Sequence, residues 1–473
     1  MTNTITTRSN PKTLTWALHN GKMNRRAWTI TAMLVLLQIS AFADRAVLGL
    51  VAPFAMPELG MTPTQFGFIG SAFYFLYAVM AVVTGVLASR VSVKWIIFVM
   101  GLSWALLQFP MLLGGGAGAL LVTRILLGGA EGPATPMSLA SVHSWFPAAR
   151  RALPSNYVAL GSTLGPVIAA PILALVITAW GWRWAFGVLG ILGLAWLVLW
   201  MVLGKDGPYA PNAQRNQAQQ EDGQPAAEQE KSSAYAWLDH QYRLPMGRIL
   251  LSGTFVITAI GVFANFWTMG FLTTWLPQYL KVSAELSMAQ VGVVTVFPWL
   301  FGALVLLALG FIGRQLMARN SSVRAAMGLP FSITLAIGGM SFILATQASG
   351  VMTIVLLTIA AGCSIIYPMG AAMVAYIVGT RQRPIIMGAL GAIGSLGAIV
   401  SPVLVGRLME LAGYQPVAKG ETPSAEMIAS MITGVDQSFL IAGALLLISG
   451  VMGLVFIRPD ATARKLQTRV LLP

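Results

Sequence analysis

Apolar residues run along this chain in twelve long blocks, each near the ~20 residues that carry a helix across a bilayer. The blocks cover 28–53, 65–88, 95–113, 118–141, 154–178, 184–204, 249–276, 289–313, 323–346, 350–378, 385–409 and 434–457, and are numbered here as spans 1 to 12. Short polar segments join most of them. The exception is 205–248, where Gln214–Gln229 is rich in Gln, Ala and Glu and has no apolar period. Such a stretch cannot bury enough surface to fold alone, and reads as a polar linker with a short amphipathic helix near Ala234–Leu244. The pattern predicts an all-α membrane protein of twelve transmembrane helices in two six-helix bundles. Residues 1–27 form an N-terminal segment, 28–204 the first bundle, 205–248 the linker, 249–457 the second bundle and 458–473 a tail.

Composition agrees. Charged residues are 9% of the chain and hydrophobic ones 56%, against roughly 25% charged in a soluble domain. The net charge of +14 does not indicate nucleic acid, because the basic residues gather in alternate loops. Arg8, Lys12, Lys22, Arg25 and Arg26 precede span 1, Arg90 and Lys94 follow span 2, and Arg150 and Arg151 follow span 4. Arg314, Arg319 and Arg324 follow span 8, Arg381 and Arg383 follow span 10, and Arg458, Arg464, Lys465 and Arg469 lie in the tail. By the positive-inside rule both termini and the linker are expected in the cytoplasm, as in a bacterial inner-membrane protein. The first block is too long for a signal-peptide core and reads as a retained anchor.

Cys363 is the only cysteine, and His19, His143 and His240 lie in polar or terminal segments. No intrachain disulfide, thiolate metal site, other metal site or cofactor is expected, and no enzyme constellation of His, Cys and Asp falls in any span. The expected partners are lipid, protons and a small anion, with the chain acting as a monomer.

Four ionisable residues lie deep within apolar blocks: Asp44, Arg45, Arg124 and Glu131. Each costs at least ~2.5 kcal/mol at the centre of a bilayer, so both signs together suggest a pocket that grips an anion and exchanges protons. Arg124 and Glu131 are seven apart, two helical turns, and project from one face of span 4. Asp44 and Arg45 are adjacent on span 1 and point roughly 100° apart. One is expected to face a cavity and the other a neighbouring helix. The alternative is a pair of ion bridges locking spans 1 and 4 together, although buried bridges are poor stabilisers. Span 2 adds Ser71, Tyr74 and Tyr77 along one stripe, span 7 adds Asn265, and span 10 adds Ser364 and Tyr367 beside Pro368. The span 2 residues serve equally well as packing or as pocket lining, whereas single polar residues such as those of spans 7 and 10 more often pack against a helix than contact a ligand. Pro277 is expected to end or kink span 7.

Taken together, several stretches resemble the major facilitator superfamily, and within it the anion:cation symporters. These are Asp44-Arg45, Gly85-Val-Leu-Ala-Ser-Arg90, Arg124-Ile-Leu-Leu-Gly128-Gly-Ala-Glu131-Gly-Pro133, Trp145-Phe-Pro147 before Arg150-Arg151, Gly181-Trp-Arg-Trp184 and Trp275-Leu-Pro-Gln-Tyr279. The resemblance implies that Arg45 contacts a substrate carboxylate, that Asp44 and Glu131 take part in proton coupling, and that Tyr74 and Tyr77 line the pocket. It also implies a gating role for the loop carrying Gly85 and Arg90. Arg124, Asn265, Ser364, Tyr367 and Ser395 complete the candidate substrate contacts. Two departures stand out. Ser89 and Ser92 replace the usual acid and glycine after span 2, and span 11 reads Gly391-Ala-Ile-Gly394-Ser395 where asparagines are common. A proton-coupled importer of an organic carboxylate, with an aromatic or apolar body, is the expected function. A proton-linked exporter on the same fold is the alternative.

Overall fold

The computed structural model describes residues 11–88, 90–146, 150–210, 244–319, 321–379, 382–417, 421 and 423–471. Ser89 and most of the linker helix expected near Ala234–Leu244 lie outside the described residues. All described regular structure is helical. Eight spans are single α-helices or nearly so: Pro11–Glu58, Pro63–Leu87, Val93–Leu112, Ala152–Trp180, Trp182–Leu203, Leu329–Ala345 behind a π-helical turn, Arg383–Leu411 and Ala425–Phe456.

The other four are broken, each beside a proline, which cannot donate to the helix ladder and clashes with the preceding turn. Span 4 breaks between Ala117–Glu131 and Ala134–Trp145 at Pro133. Span 7 breaks between Gly253–Thr274 and Leu276–Ser283 around Pro277, as expected. Span 8 breaks between Met288–Val294 and Phe297–Ala318 before Pro298, and span 10 between Val351–Ser364 and Tyr367–Tyr376 before Pro368. Spans 4 and 10 occupy the same place in each half, as do spans 1 and 7. The breaks at 4 and 10 are therefore a shared feature of a repeated architecture.

A second repeat is electrostatic. Just past span 6, Asp206 accepts hydrogen bonds from the Ser92 hydroxyl and from the Lys94 N–H (3.2 Å) at the start of span 3. Just past span 12, Asp460 accepts from the N–H groups of Val323 (3.1 Å) and Arg324 (2.9 Å) at the start of span 9. Each acid satisfies orphan donors and sits at the positive end of a helix dipole. The linker is pinned at both ends: the Gly207 N–H donates to Ser144 (2.9 Å), and Leu244 exchanges two hydrogen bonds with Gln382.

Among the described residues, the halves meet closely at one end. There Gly67 lies so close to the Pro402 carbonyl that a Cβ would fall 2.1 Å from its oxygen, and Gly406 makes the reciprocal approach to Pro63. Phe66 packs edge-on to Trp275, and the Thr64 N–H donates to Glu410 (2.8 Å). At the opposite end, the Cα positions of Gly85, Gly310 and Gly388 face open space. Among the described residues, the molecule is shut at the end bearing Glu58 and Glu410 and open at the end bearing Arg90 and Arg314.

Candidate functional site

The four charges of spans 1 and 4 come together in the interior, all buried. Arg45 Nε lies 3.2 Å from Glu131 Oε2, and its Nη2 donates to the Tyr77 hydroxyl at 3.1 Å. Nη1 makes no protein hydrogen bond among the described residues, and Arg45 keeps 8% exposure. The guanidinium is boxed by aromatic faces: its carbon is 4.3 Å from the Phe42 centroid, 5.0 Å from Tyr77 and 5.4 Å from Phe73. Such contacts are worth up to ~2 kcal/mol each once water is excluded, which offsets part of the cost of burying the cation.

Arg124 faces span 1 as its spacing from Glu131 requires. Its Nη1 donates to the Asp44 carbonyl at 2.9 Å, and the guanidinium lies 5.4 Å from the Phe186 ring. Asp44 thus turns toward Arg124 and span 3 while Arg45 turns toward spans 2 and 4, the divergence expected of adjacent helical residues. Gln108 flanks Asp44 without reaching hydrogen-bond geometry. Asp44 Oδ1, Gln108 Nε2, Arg124 Nη2 and Glu131 Oε1 are buried and have no protein hydrogen-bond partner among the described residues. Unpaired buried polar atoms are expensive, and four around one cluster mark a site shaped for more than packing.

Two glycines permit this assembly. Spans 2 and 4 cross backbone to backbone. A Cβ on Gly128 would lie 1.7 Å from the Phe73 carbonyl oxygen, and one on Gly132 would lie 1.9 Å from that of Tyr77. Any side chain there would push Tyr77 away from Arg45.

The second half supplies the opposite wall. Tyr367 is half-buried, lies within electrostatic reach of Tyr77, and packs edge-on to Phe266 at 5.5 Å. Tyr74 is buried and reaches Thr273 of span 7. The Tyr367 hydroxyl lies 3.3 Å from where a Gly391 side chain would begin, so that glycine leaves room for the phenol.

Other candidates are not joined to the cluster by hydrogen bonds. Ser364 and Ser395 each donate back to their own helix, to the Ala361 (2.7 Å) and Gly391 (3.0 Å) carbonyls. Ser71 is buried with an unpaired hydroxyl. Asn265 is 2% exposed, with an unpaired amide nitrogen. It shares a helical stripe with Gly261, which abuts Leu335 and Ser449 inside the second bundle. Gly85 and Arg90 are exposed at the open end. Phe42, Phe73, Gln108 and Phe186 escape a reading of sequence that looks for charge. The one available signal was Phe42, three residues before Arg45 and so on its face.

A model of the Major Facilitator Superfamily matches residues 34–363. Among curated proteins, the hexuronate transporter of Bacillus subtilis (strain 168) is 27% identical over 443 residues, covering 91% of this chain and 94% of that one. The probable sulfoacetate transporter SauU of Cupriavidus necator is 26% identical, with 92% and 94% covered. Among solved structures, a bacterial homolog of the human lysosomal transporter Spinster, inward-facing and unoccupied, superposes with a TM-score of 0.73 at 17% identity. It covers 94% of this chain and 98% of that one, and a D-xylose-proton symporter gives 0.67 at 15%, covering 92% and 99%. Both structural likenesses show the fold alone. The chain belongs to the major facilitator superfamily and is a multi-pass membrane transporter rather than an enzyme.

Proposed function

We propose that the protein is a proton-coupled symporter that imports an organic carboxylate by alternating access between its two bundles. One observation carries the reading: Arg45, buried beside Glu131 and Tyr77, retains an uncommitted nitrogen, Nη1. A guanidinium fork accepts a carboxylate in bidentate fashion. Arriving there, the substrate carboxylate competes with Glu131 for the same cation. Two carboxylates held at one guanidinium repel, and that repulsion favours protonation of Glu131. Anion binding and proton uptake become one event, with Asp44 and Arg124 as a second pair behind it. The unpaired oxygens of Asp44 and Glu131 are positioned to carry those protons.

The aromatic side chains of Phe42, Phe73 and Tyr77 around Arg45 suit a substrate with an apolar or aromatic face. The hexuronate and sulfoacetate named for the relatives are small organic anions, which supports the charge class. The clustering of basic residues at the open end supports a cytoplasmic placing of that end and of both termini, so this conformation is read as open inward.

The test is uptake into proteoliposomes under an inward proton gradient, with a panel of aliphatic and aromatic carboxylates. Replacing Arg45 with Ala should abolish uptake. The double variant Asp44→Asn, Glu131→Gln should retain exchange of anion for anion but lose accumulation driven by the gradient. Normal gradient-driven accumulation by the double variant would refute proton coupling through these acids.

A further inference from the structure

At the shut end the two bundles do not meet flush. Between them lies a cavity of about 340 Å³, walled by Phe54, Pro57 and Trp182 of the first bundle and by Gln278, Lys281 and Tyr414 of the second. Lys281 is half-buried with its Nζ 4.0 Å from the Phe54 centroid, and no carboxylate is within ion-pair distance among the described residues. Two carboxylates also line the cavity, those of Glu58 and Glu421. Glu58 is held by Arg183 and by the Trp182 indole (2.8 Å), while Glu421 is exposed at the rim.

Gln278 is the second observation. It is 4% exposed, its Nε2 donates to the Tyr414 hydroxyl at 2.6 Å, and its Oε1 has no partner among the described residues. Exchanging the amide oxygen and nitrogen would leave the other atom unpaired instead, so one hydrogen-bonding group is left over in either assignment. Beside the paired Glu58 and the exposed Glu421, one space is thus lined by a cation with no carboxylate partner among the described residues, a leftover amide group and the aromatic side chains of Phe54 and Trp182.

We propose that this cavity binds a small hydroxy-carboxylate, with its carboxylate on Lys281, its hydroxyl on the Gln278 amide and its carbon frame against Phe54 and Trp182. The walls come from both bundles, so the cavity exists only while that end is shut. A ligand that binds one conformation alone shifts the population toward it. The site is therefore an inhibitory anion site: excess hydroxy acid outside the cell holds the outer gate closed and slows the return of the empty carrier. That consequence rests on the transport reading above, whereas the binding does not.

The full chain in lipid nanodiscs is labelled with acetic anhydride, and acetylation of Lys281 is followed by peptide mass spectrometry with glycolate, D-glucuronate or chloride present. Glycolate and D-glucuronate should protect Lys281 about threefold at twice their Kd, following mass action. Lys94, at the other end, should be unaffected. Protection should persist in Arg45→Ala, which removes the central cation. It should weaken about tenfold in Gln278→Leu, the loss expected when one hydrogen bond to a desolvated group goes. No protection in the wild type, or its loss in Arg45→Ala with Gln278→Leu unaffected, overturns the proposal. Equal protection by chloride overturns the hydroxy-acid assignment. Protection of Lys281 in a protein that takes up no carboxylate would leave this site standing and sink the transport reading.

Discussion

Gly128 and Gly129 are neighbours on span 4, and the structure assigns them opposite tolerances for a single methyl group. At Gly128 the added Cβ would lie 1.7 Å from the Phe73 carbonyl oxygen and 2.7 Å from its carbon. Both are main chain, so no rotamer change can relieve the clash. The helices would have to part by about 1.5 Å to recover ordinary contact. Overpacking of this kind costs typically 1–3 kcal/mol, and a backbone crossing belongs at about 3. The larger effect is on the site. Span 2 carries Tyr77, and its 3.1 Å bond to Arg45 does not survive a displacement of that size. At Gly129 the nearest atoms are the Leu76 Cβ at 3.3 Å and the Met80 Cγ at 3.4 Å. These side chains can yield by a few tenths of an ångström, and Ala is the better helix former by about 1 kcal/mol. Gly128→Ala should therefore lower carboxylate uptake per folded molecule at least about tenfold and reduce the apparent melting temperature. Gly129→Ala should leave uptake within about twofold and Tm unchanged or slightly raised. The assay is initial-rate uptake in proteoliposomes normalised to monodisperse protein, with Tm by tryptophan fluorescence. Equal uptake by the two variants would show that the crossing of spans 2 and 4 does not position the cluster.

Tyr77→Phe removes one hydrogen bond from Arg45 while keeping the ring against it; the KM for the transported anion should rise about tenfold with a smaller change in maximal rate, and an unchanged KM would remove Tyr77 from the site. Asp206→Asn and Asp460→Asn each weaken a charged cap on spans 3 and 9, so each should lower stability by about 1–2 kcal/mol. Thermal denaturation checks this, and the two losses should add, because the caps lie in different bundles and share no partner.

Much of the architecture is legible because a helix in lipid needs an unbroken apolar run, and each of the twelve blocks contains one or two helices. Ends are less legible. Span 12 starts at Ala425 rather than at the first apolar stretch, because Ser424 accepts the Met427 N–H (3.2 Å) and starts the helix early. Span 1 continues back to Pro11 through polar residues that no hydrophobic pattern would include. The meeting of Arg45 with Glu131 follows from rare charges at helical spacing. What sequence could not give is the aromatic box, since Phe73 reaches Arg45 only through the crossing at Gly128. Nor could it give the two acidic caps, where Asp206 lies 114 positions from Ser92. Local spacing carries no information on such partners.

Beside the Phe66–Trp275 contact, the seam at the shut end brings glycines onto main chain and small side chains at four points: Gly67 on Pro402, Gly406 on Pro63, Gly70 beside Thr274 and Gly49 on Thr273. Parting such surfaces exposes little hydrocarbon and releases few frozen rotamers, so both the attraction lost and the disorder regained are small. A seam of interlocked leucines would forfeit ~0.8 kcal/mol for every methylene uncovered, and the machine would stall in one posture. Thin glycine lips let ordinary thermal agitation swing the halves back and forth, leaving the cargo and its gradient to decide the direction of travel.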